Sequence, residues 1–185
     1  MDEIVERAML KWPDVPACYG WLTLTRRGEW RFGPERARIS HPRVLDFINR
    51  NYACDREGRW FFQNGPQRVF VALDATPFVF RLDGARAQLE AHTGQPATHI
   101  DACLLDEAGH LYVDTELGIG IIDDRDLDWF ADHALSWDVE KGVPESLRFS
   151  NVELPVTPVK AADIPAIGGF VRDPGRTAVT TGSSH

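Results

Sequence analysis

The sequence predicts an α+β protein of two similar, closely packed modules, each an antiparallel curved sheet with a packed helix. Three observations carry this expectation. An order of elements (strand, glycine turn, strand, short strand, capped helix) occurs from residue 18 and again from residue 100. Between the two runs lies a stretch dense in aromatic and β-branched residues and broken by turn chemistry. Beyond about residue 150 the chain turns rich in Pro and small residues. The 185 residues are 43% hydrophobic and 26% charged, the balance of a globular chain, and six Trp and ten Phe can fill a core.

The elements follow in order. Residues 2–12 read as an amphipathic helix with Ile4, Val5, Ala8 and Met9 on one face, ended by Pro13 and Pro16. CYGWLTLT reads as a strand, Arg26-Arg27-Gly28 as a turn, and EWRF and ARI as two further strands. In SHPRVLDFINRN, Ser40 is the predicted N-cap, Pro42 sits in the first turn, and Val44, Leu45, Phe47 and Ile48 form the apolar face. GRWFFQ, QRVFVALD and TPFVFRLDG read as a β-meander, with bends at Asn64-Gly65-Pro66 and residues 74–77. ARAQLEAHTG adds a short helix.

Laying Gly109 on Gly28 pairs Leu105 with Leu24, Leu111 with Trp30 and Val113 with Phe32. After a two-residue insertion Asp123 falls on Ser40, Leu127 on Val44 and Phe130 on Phe47, which reads as an internal repeat. CDREGRWFF echoes RRGEW, a third glycine turn before an aromatic strand. The expected divisions are residues 1–84, an N-terminal helix and first module with the meander; 85–149, a second module; and 150–185, an extended Pro-rich segment with a disordered tail.

A net charge of -8 argues against nonspecific binding to nucleic acid. No apolar run approaches the roughly 20 residues that span a bilayer, and the acidic N-terminus lacks the pattern of an export signal, so a cytoplasmic protein is expected. Cys18, Cys54 and Cys103 are far apart, which suits reduced thiols better than a disulfide framework or a zinc site. Asp123, Asp124, Asp126, Asp128 and Asp132 are read as helix-start carboxylates, and His110, His133 and Asp114 lack a metal-ligand spacing. No metal and no cofactor is expected. A GxSxG elbow, a phosphate loop and a complete dinucleotide fingerprint are all missing.

FFQNGPQR at residues 61–68 concentrates donors and acceptors. Trp60, Gln63, Asn64, Gln67 and Arg68 form the candidate ligand-binding set, since amides and a guanidinium beside aromatics suit a carboxylate, a phosphate or a peptide backbone. Turn chemistry alone also accounts for Asn64 and Gly65, and Gln67 and Arg68 stand between the two readings.

CYGWL, GEWR, RNYACDREGRWFFQNGPQRVFV and ATPFVFRL resemble a family of small bacterial proteins catalogued as a domain of unknown function. The likeness covers residues 1 to about 135, with QNGPQR its most specific piece. The layout is similar to a second such bacterial family, and this resemblance implies two related α+β modules and a role in signalling or ligand sensing. It implies no catalytic residues. The expected function is therefore a binding or regulatory protein with a small-molecule or protein partner. The rival is a small hydrolase or transferase with a site between the modules, drawing on Asp74, Asp101, Asp106, His110 or Arg68. A third reading is a subunit that docks through its N-terminal helix or Pro-rich tail.

Overall fold

The computed structural model describes residues 1–83, 88–140 and 142–175. It is mostly sheet with few helices. The elements are α1 (Glu3–Lys11), β1 (Cys18–Leu24), β2 (Trp30–Phe32), β3 (Ala37–Arg38), α2 (Pro42–Arg50), β4 (Tyr52–Cys54), β5 (Trp60–Asn64), β6 (Gln67–Leu73), β7 (Phe78–Asp83), β8 (Gln88–Ala91) and β9 (Pro96–Ala97). They continue as β10 (Ile100–Asp106), β11 (Leu111–Thr115), β12 (Gly120–Ile122), a 3-10 turn (Asp124–Asp126), α3 (Leu127–Asp132), β13 (Ala134–Asp138), β14 (Val143–Phe149), β15 (Val152–Val159) and α4 (Ile164–Ile167).

One sheet has the order β3-β2-β1-β6-β5-β4 and the other β13-β14-β15-β10-β11-β12-β7-β8-β9. Strands β12-β11-β10-β15-β14-β13 thus run in the same order as the six strands of the first sheet. In each set the first and last strands in sequence meet at the centre in parallel, β1 with β6 and β10 with β15. Both sheets are therefore mixed, which corrects the antiparallel expectation; local turn signals cannot report a pairing between strands about fifty residues apart.

Hairpin chemistry is read correctly. At residues 25–29, 55–59, 91–95 and 106–110 the glycine N–H bonds back to the first residue's carbonyl, and that residue's N–H bonds to the fifth residue's carbonyl. Gly28, Gly58, Gly94 and Gly109 each take a φ between 74° and 83°, the left-handed bulge position that favours glycine.

Four local readings change. The N-cap of α2 is His41 with no side-chain cap bond, while Pro42 opens the helix as expected. Strand β7 does not continue the meander from β6, because β6 already has β1 and β5 on its two edges. Instead Thr76 accepts from Ile121 N–H (2.9 Å) and donates to Phe78 O (2.7 Å), carrying the chain to pair with β12 in the second sheet. ARAQLEAHTG is not a helix over its described part: residues 88–91 are strand β8, and residues 84–87 lie outside the described residues. Within the Pro-rich stretch, residues 152–159 form β15, an interior strand of the second sheet between β14 and β10. Its first half pairs with β14 and its second half with β10, so Pro155 lies against β14 alone and Pro158 against β10 alone. The tail read as disordered, from residue 176 on, lies outside the described residues.

The second sheet buries both faces. Val79, Leu104, Tyr112 and Ile121 pack with Leu22, Leu24, Trp30 and Val71 of the first sheet. Phe80, Cys103, Leu111 and Ile122 point the other way, to Phe130 and Phe149. Phe47 of α2 meets Phe62 edge-on at 5.4 Å, and Phe130 of α3 stacks with Phe149 at 6.3 Å. The segment after β15 returns to the first sheet. Ile164 and Phe170 enter its core, Val171 N–H bonds Gly58 O (2.9 Å), and Leu73 N–H bonds Arg172 O (2.8 Å).

Between the sheets the His92 ring lies 5.5 Å from Trp30 and 5.7 Å from Tyr52. Its Nδ1 accepts from Val79 N–H, and burial pushes its pKa down to about 3.

Two stability predictions follow from this packing. A Cβ on Gly58 would lie 2.3 Å from Gly169 O, whereas one on Gly109 meets nothing within 4 Å. Gly109→Ala should cost about 1 kcal/mol, from φ alone. Gly58→Ala should cost clearly more in urea unfolding; equal losses would refute the strap contact. For His92, the unfolded chain takes up a proton as pH falls past 6.5, and the folded state does not until about 3. Stability is therefore lost between those values. The wild type should fall relative to His92→Leu by up to about 1.4 kcal/mol per pH unit, and parallel curves would contradict it.

Candidate functional site

Strands β5 and β6 pair so that Gln63 faces Arg68 and Asn64 faces Gln67, with Gly65 at the bend. Side chains alternate across a strand, and the five residues separate accordingly. Arg68 lies over the Phe61 ring at 4.7 Å, and Phe61 meets Phe70 at 5.8 Å, so Phe61, Gln63, Arg68 and Phe70 share a face. Trp60 points the other way, partly buried against the core beside Tyr52 (4.7 Å) and Phe78 (5.1 Å). Asn64 is exposed. Gln67 Nε2 donates to Pro16 O at 3.1 Å and so anchors the segment between α1 and β1. The structure thus brings Gln63 and Arg68 together and sets Trp60 apart.

These two residues form one wall of a cavity of about 490 Å³. Its other walls are Met9, Trp12, Val15 and Pro66. Gln63 is only 1% exposed, its Nε2 donates to Gly65 O at 2.9 Å, and its Oε1 has no partner among the described residues. That bond fixes the amide, leaving a pure acceptor buried at the cavity wall. An unmade bond of this kind costs about 1–3 kcal/mol. Arg68 forms no ion pair among the described residues. The groove therefore offers a buried acceptor, a guanidinium and apolar walls, a set suited to a ligand with an N–H or O–H donor beside an anionic group. The wall from α1 and residues 12–17 is not legible in the motif itself. Its signal is the apolar Met9 and Trp12 next to Pro13 and Pro16, which bring that segment across the hairpin.

The rival residues separate as well. Asp74 and His110 line a second cavity of about 420 Å³ with Arg26, Arg27 and Asp124; Asp101 and Arg68 do not. Asp101 is exposed, 3.5 Å from His99. Asp106 Oδ1 accepts from the N–H groups of Ala108 and His110, and Oδ2 from the Tyr112 hydroxyl (2.8 Å) and from His110 Nδ1 (2.9 Å). Burial pushes the Asp106 pKa up, but the bonds from His110 and Tyr112 outweigh it and hold it below the usual range. Asp55 caps its own turn in the same way, accepting from Glu57 and Arg59 N–H and from the Arg59 guanidinium. The Asp106–His110 pair is thus a turn device found at another turn of the chain.

The aspartates near α3 are also engaged. Asp123 accepts from Arg125, Asp124 from Arg27 and Asp126 from Arg81. Among the described residues, no group of three or more His, Cys, Asp or Glu is placed to hold a metal ion. Burial pushes the Cys103 thiol up to about 12, so its thiolate is not accessible near neutral pH. No described helix is long and apolar enough to cross a membrane.

No curated protein matches the chain. Its fold is similar to the crystal structure of a DUF1285 family protein from Silicibacter pomeroyi DSS-3, with a TM-score of 0.55 and 17% identity over 85% of this chain and 96% of that one. A DUF1285 family protein from Shewanella baltica OS155 matches with a TM-score of 0.45 and 13% identity over 60% of this chain and 90% of the other. The DUF2944 family model, described as "Protein of unknown function (DUF2946)", matches residues 1–175, and the chain belongs to that family.

Proposed function

We propose that the protein is a binding or regulatory module that acts without catalysis, and that its site is the groove between α1 and the β5–β6 hairpin. One observation carries this reading: Gln63 is buried in the wall of a roughly 490 Å³ cavity, and among the described residues its Oε1 is unpaired and the guanidinium of Arg68, across the strand pair, forms no ion pair. A folded chain tolerates such a cost where a ligand can relieve it. The ligand presents an N–H or O–H to Gln63 and a carboxylate or phosphate to Arg68; a free small molecule or a segment of a partner protein would serve. The matching strand orders further support reading the two six-stranded sets as copies of one unit.

The alternative, a small hydrolase or transferase with its site between the two sheets, rests on the Asp106–His110 pair beside Asp74 and Arg26. The repeated turn geometry at Asp55 makes it the weaker reading.

A thermal-shift panel of amino acids, dipeptides and small phosphates separates the two, since a ligand of the folded state raises Tm by mass action. Arg68→Ala should change stability by less than about 1 kcal/mol, the value of an exposed cation–π contact, and should abolish the shift of any true ligand. Gln63→Met, which removes the unpaired Oε1, should abolish the same shift. Shifts that survive both variants but vanish in His110→Ala would overturn the groove and favour the inter-sheet site.

A further inference from the structure

A third cavity lies under α3. It measures about 220 Å³ and is almost wholly apolar, walled by Leu111, Leu127, Phe130, Val143, Pro144 and Leu147. The matching place in the first sheet is filled. There Gly28 stands where the second sheet has Gly109 and Asp55 where it has Asp138, and the cross-strand pair Cys54–Trp60 answers to Trp137–Pro144 across a turn one residue longer. Trp30 is 2% exposed and sends its Nε1–H to Asn49 of α2 at 2.8 Å, with Tyr52 edge-on at 5.2 Å; Ile48 is likewise 2% exposed. The counterparts of Trp30, Ile48 and Trp60 in the second sheet are Leu111, Ala131 and Pro144. These three are smaller than their counterparts, Trp137 is larger than Cys54, and α3 is six residues long where α2 has nine. An apolar cavity of about 150 Å³ already suffices for benzene.

Its mouth is polar. Leu127 lines both this cavity and the neighbouring 420 Å³ one, and Gly109 of the first adjoins His110 of the second. In that second cavity each carboxylate is engaged: Glu29 with Arg31, Asp74 with Arg36 and Asp124 with Arg27. Arg26 is the exception among the lining cations. It meets no carboxylate among the described residues and contacts only His110 Nε2, at 2.9 Å. His110 Nδ1 is turned to Asp106, so Nε2 is the acceptor and Arg26 keeps donors to spare. We propose that this compound site takes a small amphiphilic monocarboxylate, its phenyl ring or short alkyl chain under α3 and its carboxylate on Arg26. The apolar cavity alone would take a hydrocarbon, and Arg26 alone any anion; the shared wall at Leu127 selects a molecule that is both.

Titration of the full chain with hexanoate and phenylacetate, followed by calorimetry and by the NMR shifts of the Leu and Phe signals, tests this. Hexanoate should bind more tightly than acetate and than hexanol. Arg26→Ala should weaken hexanoate about tenfold and leave hexanol unchanged, since it removes a charge-assisted contact. Leu111→Trp restores the residue of the first sheet and should abolish both while Tm is kept or raised. If that variant fails to fold, Ala131→Ile fills the rim from α3 and should weaken both. Absence of hexanoate binding to the wild type, or binding indifferent to Leu111→Trp and Ala131→Ile, would overturn the proposal. This site shares no residue with the α1–hairpin groove, so Arg68→Ala leaves it intact and the two readings fail independently.

Discussion

Parallel pairing of the first and last strands of each six-stranded set is the constraint on which the rest of the structure depends. A parallel pair cannot be closed by a tight turn, so the chain must travel away and return, and a helix lies within each crossover. Once β1 meets β6 and β10 meets β15, both strands of each pair have neighbours on both edges. The chain leaving β6 has no edge to join in its own sheet. It crosses through Thr76 to the second sheet and extends it beyond β12 with β7, β8 and β9. The chain leaving β15 crosses the other way and places Ile164 and Phe170 in the first core. Each set is thus completed by the segment that follows the other, and neither holds its full core by itself.

This exchange accounts for the character of the second sheet. With the first sheet on one face and α3 with Phe149 on the other, β7, β10, β11 and β12 bury both faces and read as continuous apolar runs such as FVF, LYV and GII. The first sheet keeps an outer face. There Tyr19 stacks on Phe70 at 4.7 Å, and Arg59 and Arg68 cover aromatic rings at 4.8 and 4.7 Å. Apolar bodies under charged tips are a stable compromise at a half-wet surface. The hairpin groove grows out of this face, where α1 and the segment held by Gln67 roof it over and exclude water from Gln63.

The same physics separates polar residues that hold the fold from those with capacity to spare. Asp106, Asp55 and Asp123 accept backbone N–H groups at tight turns and also accept from a nearby His or Arg side chain, so their acceptor capacity is spent locally. Gln63 Oε1 and the Arg26 and Arg68 guanidiniums are not spent in this way. Burial of an acceptor without a partner is a cost that the surrounding packing must offset.

The sequence by itself determined the local elements. Each glycine turn, the Pro42 start of α2, the Asp123 cap and the hairpin at Gly65 follow from backbone preferences acting over four or five residues. It also showed the repeated order of elements, because turn spacing is a local property. It placed FFQNGPQR as a polar tip, and part of that tip, Gln63 with Arg68, does line a cavity. Tertiary structure alone decided the parallel centres of the sheets, the departure of β7 from the meander, and the role of a Pro-rich stretch as an interior strand. Those depend on which strand edges are already occupied, a fact about partners tens of residues away. Trp60 shows the limit most plainly: it lies three residues from Gln63 in sequence, yet the alternation of a strand turns it against the core and leaves Gln63 to the groove.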